Sequence, residues 1–134
     1  MNALDLANSL RADRGRRVDS LDPELRLHRL RDAIRALFEA SARSGTPAAN
    51  DIALLNRLAT APSLGWEAAG PRLAAATAEA EAARTAIELL ASGRLRTCGN
   101  PRCVQFFLAD GRRAFCSTTC ANRTRVARHA ARHR

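Results

Sequence analysis

Between residues 22 and 45 apolar side chains recur at alternating threes and fours. Leu27, Leu30, Ile34 and Leu37 form the stripe, Ser41 continues it and Phe38 widens it. That period predicts an amphipathic helix. Asp22 is placed to cap it, Pro23 suits its first position, Glu24 lies near the positive end of its dipole, and Gly45 closes it. The same start signal returns at Thr46-Pro47. Ile52, Leu55 and Ala59, widened by Leu54 and Leu58, give a third helix that stops before Pro62. A fourth is expected to open near Pro71 and run to about Ala91, with Leu73, Ala76, Ala80, Ala83, Ile87 and Leu90 inward and Ser92-Gly93 as its end.

The remaining segments carry weaker patterns. Residues 3–12 hold Leu4, Leu6, Ala7 and Leu10, a short helix at most, and residues 13–20, rich in arginine and aspartate, read as loop. The connector from 62 to 71 is rich in turn residues and predicts a short hairpin around Gly65, with Trp66 packing over the helices. Arg26, Arg29, Arg31 and Arg35 fall mostly off the second helix's stripe and read as a solvated face, some of them paired with Asp32 or Glu39. His28, beside Leu27, reads as a partly buried structural histidine. Residues 1–93 are thus expected to form a small α-helical bundle with an alanine-rich seam. They present no Ser/His/Asp set, phosphate loop or paired carboxylates, so the bundle announces no enzymatic activity.

All four cysteines fall late in the chain. Cys98 and Cys103 form a C-x4-C pair, twelve residues follow, and Cys116 and Cys120 form a C-x3-C pair. Two short pairs at this spacing are the pattern of a tetrahedral thiolate site for one structural zinc ion. Two disulfides, a four-thiolate iron site and unligated core cysteines are the alternatives. Disulfides are disfavoured because the first residues mix polar and apolar side chains and show no secretory signal. No apolar run approaches the roughly 18 residues that span a membrane, so a cytoplasmic protein is expected.

The spacing C-x4-C-x12-C-x3-C also fits a ββα finger with both histidines replaced by cysteine. The filling argues against it. Asp110-Gly111 is a tight-turn dipeptide flanked by apolar runs, which predicts a β-hairpin between the pairs. The helix comes afterwards, with Ser117 as its cap and Cys120 in its first turn, where the positive dipole end favours thiolate. Knuckle, hairpin and ligand-bearing helix make a treble-clef-like module over residues 94–134. The fold class is therefore mainly α: a helical bundle over 1–93 followed by a small four-cysteine zinc module. The module's apolar stock is thin, namely Leu95, Val104, Phe106, Phe107, Leu108, Phe115 and Val126. A structural zinc ion, worth about 10–16 kcal/mol in small modules, would dominate its folding. Chelation is expected to unfold this end and leave the bundle helical.

Charge sharpens the picture. All 22 basic residues are arginine, a bias that fits a GC-rich bacterial genome, and the net charge is +9. Residues 1–93 balance twelve arginines against twelve acids, whereas residues 94–134 hold ten arginines and the single acid Asp110. A neutral body with a basic end is the footprint of a polyanion binder. Arg123 opens the basic run after Asn122, and Arg125, Arg128 and Arg132 share one helical face. With Arg112 and Arg113 on the expected hairpin, they offer guanidinium groups to phosphate or to guanine edges. His129 and His133, spaced i, i+4, could hold a second metal but more often contact phosphate or solvent.

At these residues the chain resembles the CGNR-type zinc finger family, bacterial proteins whose helical N-terminal ABATE domain belongs to stress-induced transcription regulators. The matching stretches are RLRTCGNPRC, the Phe106-Phe107 pair, RRAFCSTTCANR and the trailing RHAARHR, with LDLANSL, LRDAIRALFEA and LNRLATAP upstream. The resemblance implies that Cys98, Cys103, Cys116 and Cys120 stand for the family's four cysteines. Ala121 replaces the glycine of the family's Gly-Asn-Arg, and the segment between the pairs looks about three residues shorter than usual, lacking a Ser-Arg-containing turn.

These readings together predict a DNA-binding transcription regulator with structural zinc and a bundle that senses or dimerises. An RNA- or acidic-protein-interaction module and a redox switch that ejects zinc are the other classes. An enzyme is least expected, because four protein ligands leave zinc no open position.

Overall fold

The computed structural model describes residues 1–61, 63–74 and 77–133. Pro62 and Ala76, expected as a helix stop and an inward position, lie outside the described residues. Along the chain run α1 (Ala3–Ala7), β1 (Leu10–Asp13), β2 (Arg16–Asp19), α2 (His28–Ala42), α3 (Ala49–Leu58), β3 (Leu64–Glu67), β4 (Gly70–Leu73), α4 (Ala78–Ser92), β5 (Leu95–Thr97), β6 (Phe106–Leu108) and α5 (Thr118–Arg132). Among the described residues the strands pair only with their sequence neighbours, as three antiparallel two-stranded ribbons.

Helices α1, α2, α3 and α4 pack on one another, and α2 and α4 also carry β5. Phe38, Leu6, Ile34, Leu55 and Leu95 are the largest fully buried side chains. Each such side chain is worth about 1.5–3 kcal/mol of burial. Ala82, Ala83 and Ala86 keep the α4 face small, so the helices approach closely, as the alanine seam implied. Leu95 and Phe106, from the cysteine-bearing end, belong to the same core cluster. Phe106 meets Phe38 edge to face at 5.5 Å between ring centroids.

Several boundaries differ from the sequence expectation. Asp22 does cap a turn at Pro23, accepting from Glu24 N, but the turn is a short 3-10 segment that ends with Arg26 in the left-handed region. That break redirects the chain so that Leu21 and Leu27 both enter the core, and α2 starts only at His28. Helix α3 begins after Ala48, not at Thr46-Pro47, which turns Leu54 and Leu55 inward and leaves Ile52 exposed. Helix α4 begins after Thr77, whose hydroxyl accepts from Ala80 N. Leu73, expected inside that helix, instead pairs with Leu64 across β3–β4 and is exposed. The connector is indeed a hairpin, but it turns at Ala68-Ala69, and Trp66 is 72% exposed rather than packed over the bundle.

Residues 13–20, expected as loop, contribute to the β1–β2 hairpin instead. Asp13 pairs with Arg16, and the two turn residues Arg14 and Gly15 have φ of +49° and +78°. Positive φ at both central positions is the two-residue turn that suits the twist of a ribbon.

The α2 arginines are also more than a solvated face. Arg31 is buried, with Nη1 2.6 Å from Asp19 and Nε 3.1 Å from Asp32. Burial opposes its charge, yet the hydrogen bonds to Asp19 and Asp32 outweigh it and raise its pKa. The Arg31 hydrogen bond in turn holds the Asp19 carboxyl below its usual range. His28, half-exposed, sits 3.5 Å from the same carboxylate. Glu39 pairs with Arg43, not with Arg35.

Candidate metal centre and nucleic-acid interface

Strand β5 runs directly into the first cysteine pair, and β6 leaves it. Thr97 pairs with Phe106, and Cys98 N donates to Gln105 O at 3.2 Å, so the knuckle is the loop of this ribbon. The expected hairpin around Asp110-Gly111 is therefore not the one formed: β6 pairs backward with β5, and residues 112–115 form no strand. Asp110-Gly111 still turns the chain, with Gly111 at φ +61° and Arg113 N donating to Asp110 O. The returning segment docks on the knuckle, where Gly99 N donates to Ala114 O at 2.7 Å. A Cβ at Gly99 would stand 2.9 Å from that carbonyl oxygen, so the approach requires glycine.

Ser117 caps α5 as expected, its hydroxyl accepting from Cys120 N at 3.1 Å. This places Cys116 and Cys120 against the knuckle. The four sulfurs lie within 4.8 Å of one another, with Cys103 to Cys116 at 3.7 Å and Cys116 to Cys120 at 3.6 Å. Four thiolates at about 2.3 Å from a tetrahedral zinc ion are about 3.8 Å apart, so the donor set fits that ion. The cysteines are free, and these separations exceed the S–S bond length of about 2.05 Å, which sets aside the disulfide alternative. Gln105 N points at the Cys103 sulfur (3.5 Å) and Cys116 N at the Cys98 sulfur (3.4 Å), amide contacts that steady thiolate ligands.

Four sulfurs this close cannot all ionise without a cation. Burial pushes the Cys103 thiol far up, helped by the Cys116 charge, and pushes Cys116 up to about 11. Burial works against Cys120 too, but hydrogen bonds from Cys116 and Cys103 outweigh it and hold Cys120 below the usual thiol value. A divalent cation relieves this conflict by bonding all four thiolates, which leaves the site a net −2.

Three side chains tie the centre to the bundle: Asn8 and Gln105, which the sequence did not single out, and Arg35, which was expected on a solvated face. Asn8 mimics a strand neighbour for Phe106, donating to its carbonyl at 2.9 Å and accepting from its amide at 2.8 Å. Gln105 donates to the carbonyls of Asn8 and Leu10. Arg35 donates to Ala7 O at 2.6 Å and Val104 O at 2.8 Å, with its guanidinium 5.0 Å from the Phe106 ring centre. No spacing rule signals these bonds, because each joins a polar side chain to a carbonyl or amide distant in sequence.

The expected phosphate-binding residues divide. Asn122, Arg123, Arg125, Arg128 and Arg132 all lie exposed on α5, whose single buried residue is Thr124. Arg112 is exposed in the turn after β6. Arg113 is engaged internally instead, donating to the carbonyls of Phe115 and Cys116 and lying 4.9 Å over the Phe107 ring. His129 and His133 meet in a tilted contact, ring centroids 4.3 Å apart and planes at 50°. The four cysteines are the only group of three or more candidate ligands among the described residues.

Residues 94–133 match the CGNR zinc finger model, which assigns the cysteine cluster its class. Residues 22–93 match the ABATE model, described as "Putative stress-induced transcription regulator", and the chain belongs to that family. No curated protein matches the chain. No helix among the described residues is long and apolar enough to cross a membrane.

Proposed function

We propose that the protein is a zinc-stabilised, duplex-DNA-binding transcription regulator. One zinc ion held by Cys98, Cys103, Cys116 and Cys120 organises the end of the chain as a treble-clef-like module, and the bundle serves as sensor or dimerisation domain. The observation that carries this reading is the state of α5. Its first turn is fixed to the cysteine cluster, while Arg123, Arg125, Arg128 and Arg132 are exposed and make no hydrogen bond or ion pair among the described residues. Arg31, Arg35, Arg43 and Arg84 of the bundle, by contrast, are held by carboxylates or carbonyls of the chain itself. Guanidinium groups left free on a rigid helix suit phosphate oxygens and base edges. The zinc has a structural role only, since four thiolates fill its coordination sphere.

Mobility shifts on random-sequence duplex across a salt series test the proposal. If the four α5 arginines and Arg112 neutralise phosphates, log K should fall with log salt at a slope of at least roughly −4.5. Chelation should abolish the shift. Binding that ignores salt, or an acidic protein or structured RNA that outcompetes duplex, contradicts it.

A further inference from the structure

Resting on that reading, we infer that the β1–β2 hairpin forms the second wall of the DNA site, so that one sugar-phosphate strand lies in a groove between the hairpin and α5. Residues 1–93 are neutral as a set, but four of their arginines, Arg11, Arg14, Arg16 and Arg17, fall on this one ribbon. The fold brings it beside the metal centre. A concavity of about 700 Å³ is lined by Arg14 on one side, Arg102 of the knuckle, and Arg123 and Arg128 of α5 on the other. It continues past Arg14 and Arg102 to Arg16 and Arg17.

Between these arginines the lining includes small side chains, Ala12 and Gly15 from the hairpin and Ala127 and Ala131 from α5. A strand backbone can therefore approach closely while guanidinium groups reach it from both rims. Asp13 is the only carboxylate among the described residues that line the larger concavity. Six arginines outnumber that charge together with the net −2 that a four-thiolate zinc site places beneath Cys103 and Cys120. None of the Arg14, Arg16, Arg17 and Arg102 side chains has a hydrogen-bond or ion-pair partner among the described residues. Arg14 also occupies a left-handed turn position, at φ +49°, that asparagine or glycine would fill with less strain.

The test compares full-length, zinc-loaded wild type with Arg14→Asn/Arg16→Gln/Arg17→Gln in duplex mobility shifts from about 50 to 200 mM salt. Asparagine at 14 tolerates the turn. The inference predicts a slope shallower than wild type by up to about 2.7, at roughly 0.9 per lost phosphate contact, with unchanged zinc content and circular dichroism. Lysine at 16 and 17 should restore most of it. Should the triple variant fold poorly, Arg102→Gln, on the opposite rim, should by itself lower the slope by about 0.9. A wild type that binds and hairpin and Arg102 variants that bind with the same slope overturn this inference and leave the α5 reading standing. A wild type that does not bind duplex overturns both.

Discussion

Gly99 shows how narrowly the metal centre is held. Its amide bonds Ala114 O, and the space where a side chain would start is occupied by that same oxygen at 2.9 Å and by the Phe115 ring at 3.3 Å. Gly99→Ala must push the returning segment off the knuckle and with it Cys116. We expect apparent zinc affinity to fall at least roughly tenfold, as for lost outer-shell support, measured by competition with a chromophoric chelator. The thiols themselves set a pH dependence. Cys103 and Cys116 titrate above neutrality in the metal-free cluster, so both are protonated there at pH 7 and must lose their protons to bind. Zinc affinity should therefore rise with pH, by at least about two log units per pH unit near neutrality, and acidification should release the ion. A pH-independent affinity would contradict this. The cysteine pairs and the Ser117 cap were readable from spacing alone. Arg31 and Arg35 were not, because periodicity places a side chain on a face without revealing which carboxylate or carbonyl meets it there.

At the scale of elements, the helices that apolar spacing marks out are present, and their starts moved where turn chemistry competed. Pro23 began a 3-10 turn that Arg26 broke, and α4 opened at the Thr77 cap rather than near Pro71. The β1–β2 ribbon escaped the sequence reading for two physical reasons. β1 alternates over only four residues and β2 is exposed throughout, and Arg14-Gly15 lacks the Asn-Gly or Asp-Gly signal of a two-residue turn. The ribbon that was expected, around Asp110-Gly111, carried that signal but lost its partner. Phe106 and Leu108 pair with Thr97 and Leu95 because this places Leu95 and Phe106 in the core of the bundle.

On the scale of the whole molecule, this shared core changes what metal loss should do. Sequence alone suggests that chelation would unfold the end and spare the bundle. Yet Leu95 and Phe106 complete the core around Phe38, and Asn8, Gln105 and Arg35 fasten β6 and its approach to α1 and α2. Removing the ion should therefore lower the thermal midpoint of the helical signal itself, as seen by circular dichroism with and without chelator. An unchanged midpoint would show the two parts to be energetically separate. Charge behaves likewise: a body neutral in sum delivers the four arginines of its first hairpin to the basic end. All of this depends on one ion gripped by four sulfurs. Elemental analysis of freshly purified, reduced, full-length protein tests that claim most directly. The account predicts about one zinc per chain, lost when Cys116 or Cys120 is replaced by serine; protein that is folded and binds duplex with no stoichiometric metal, or with iron in its place, would contradict it.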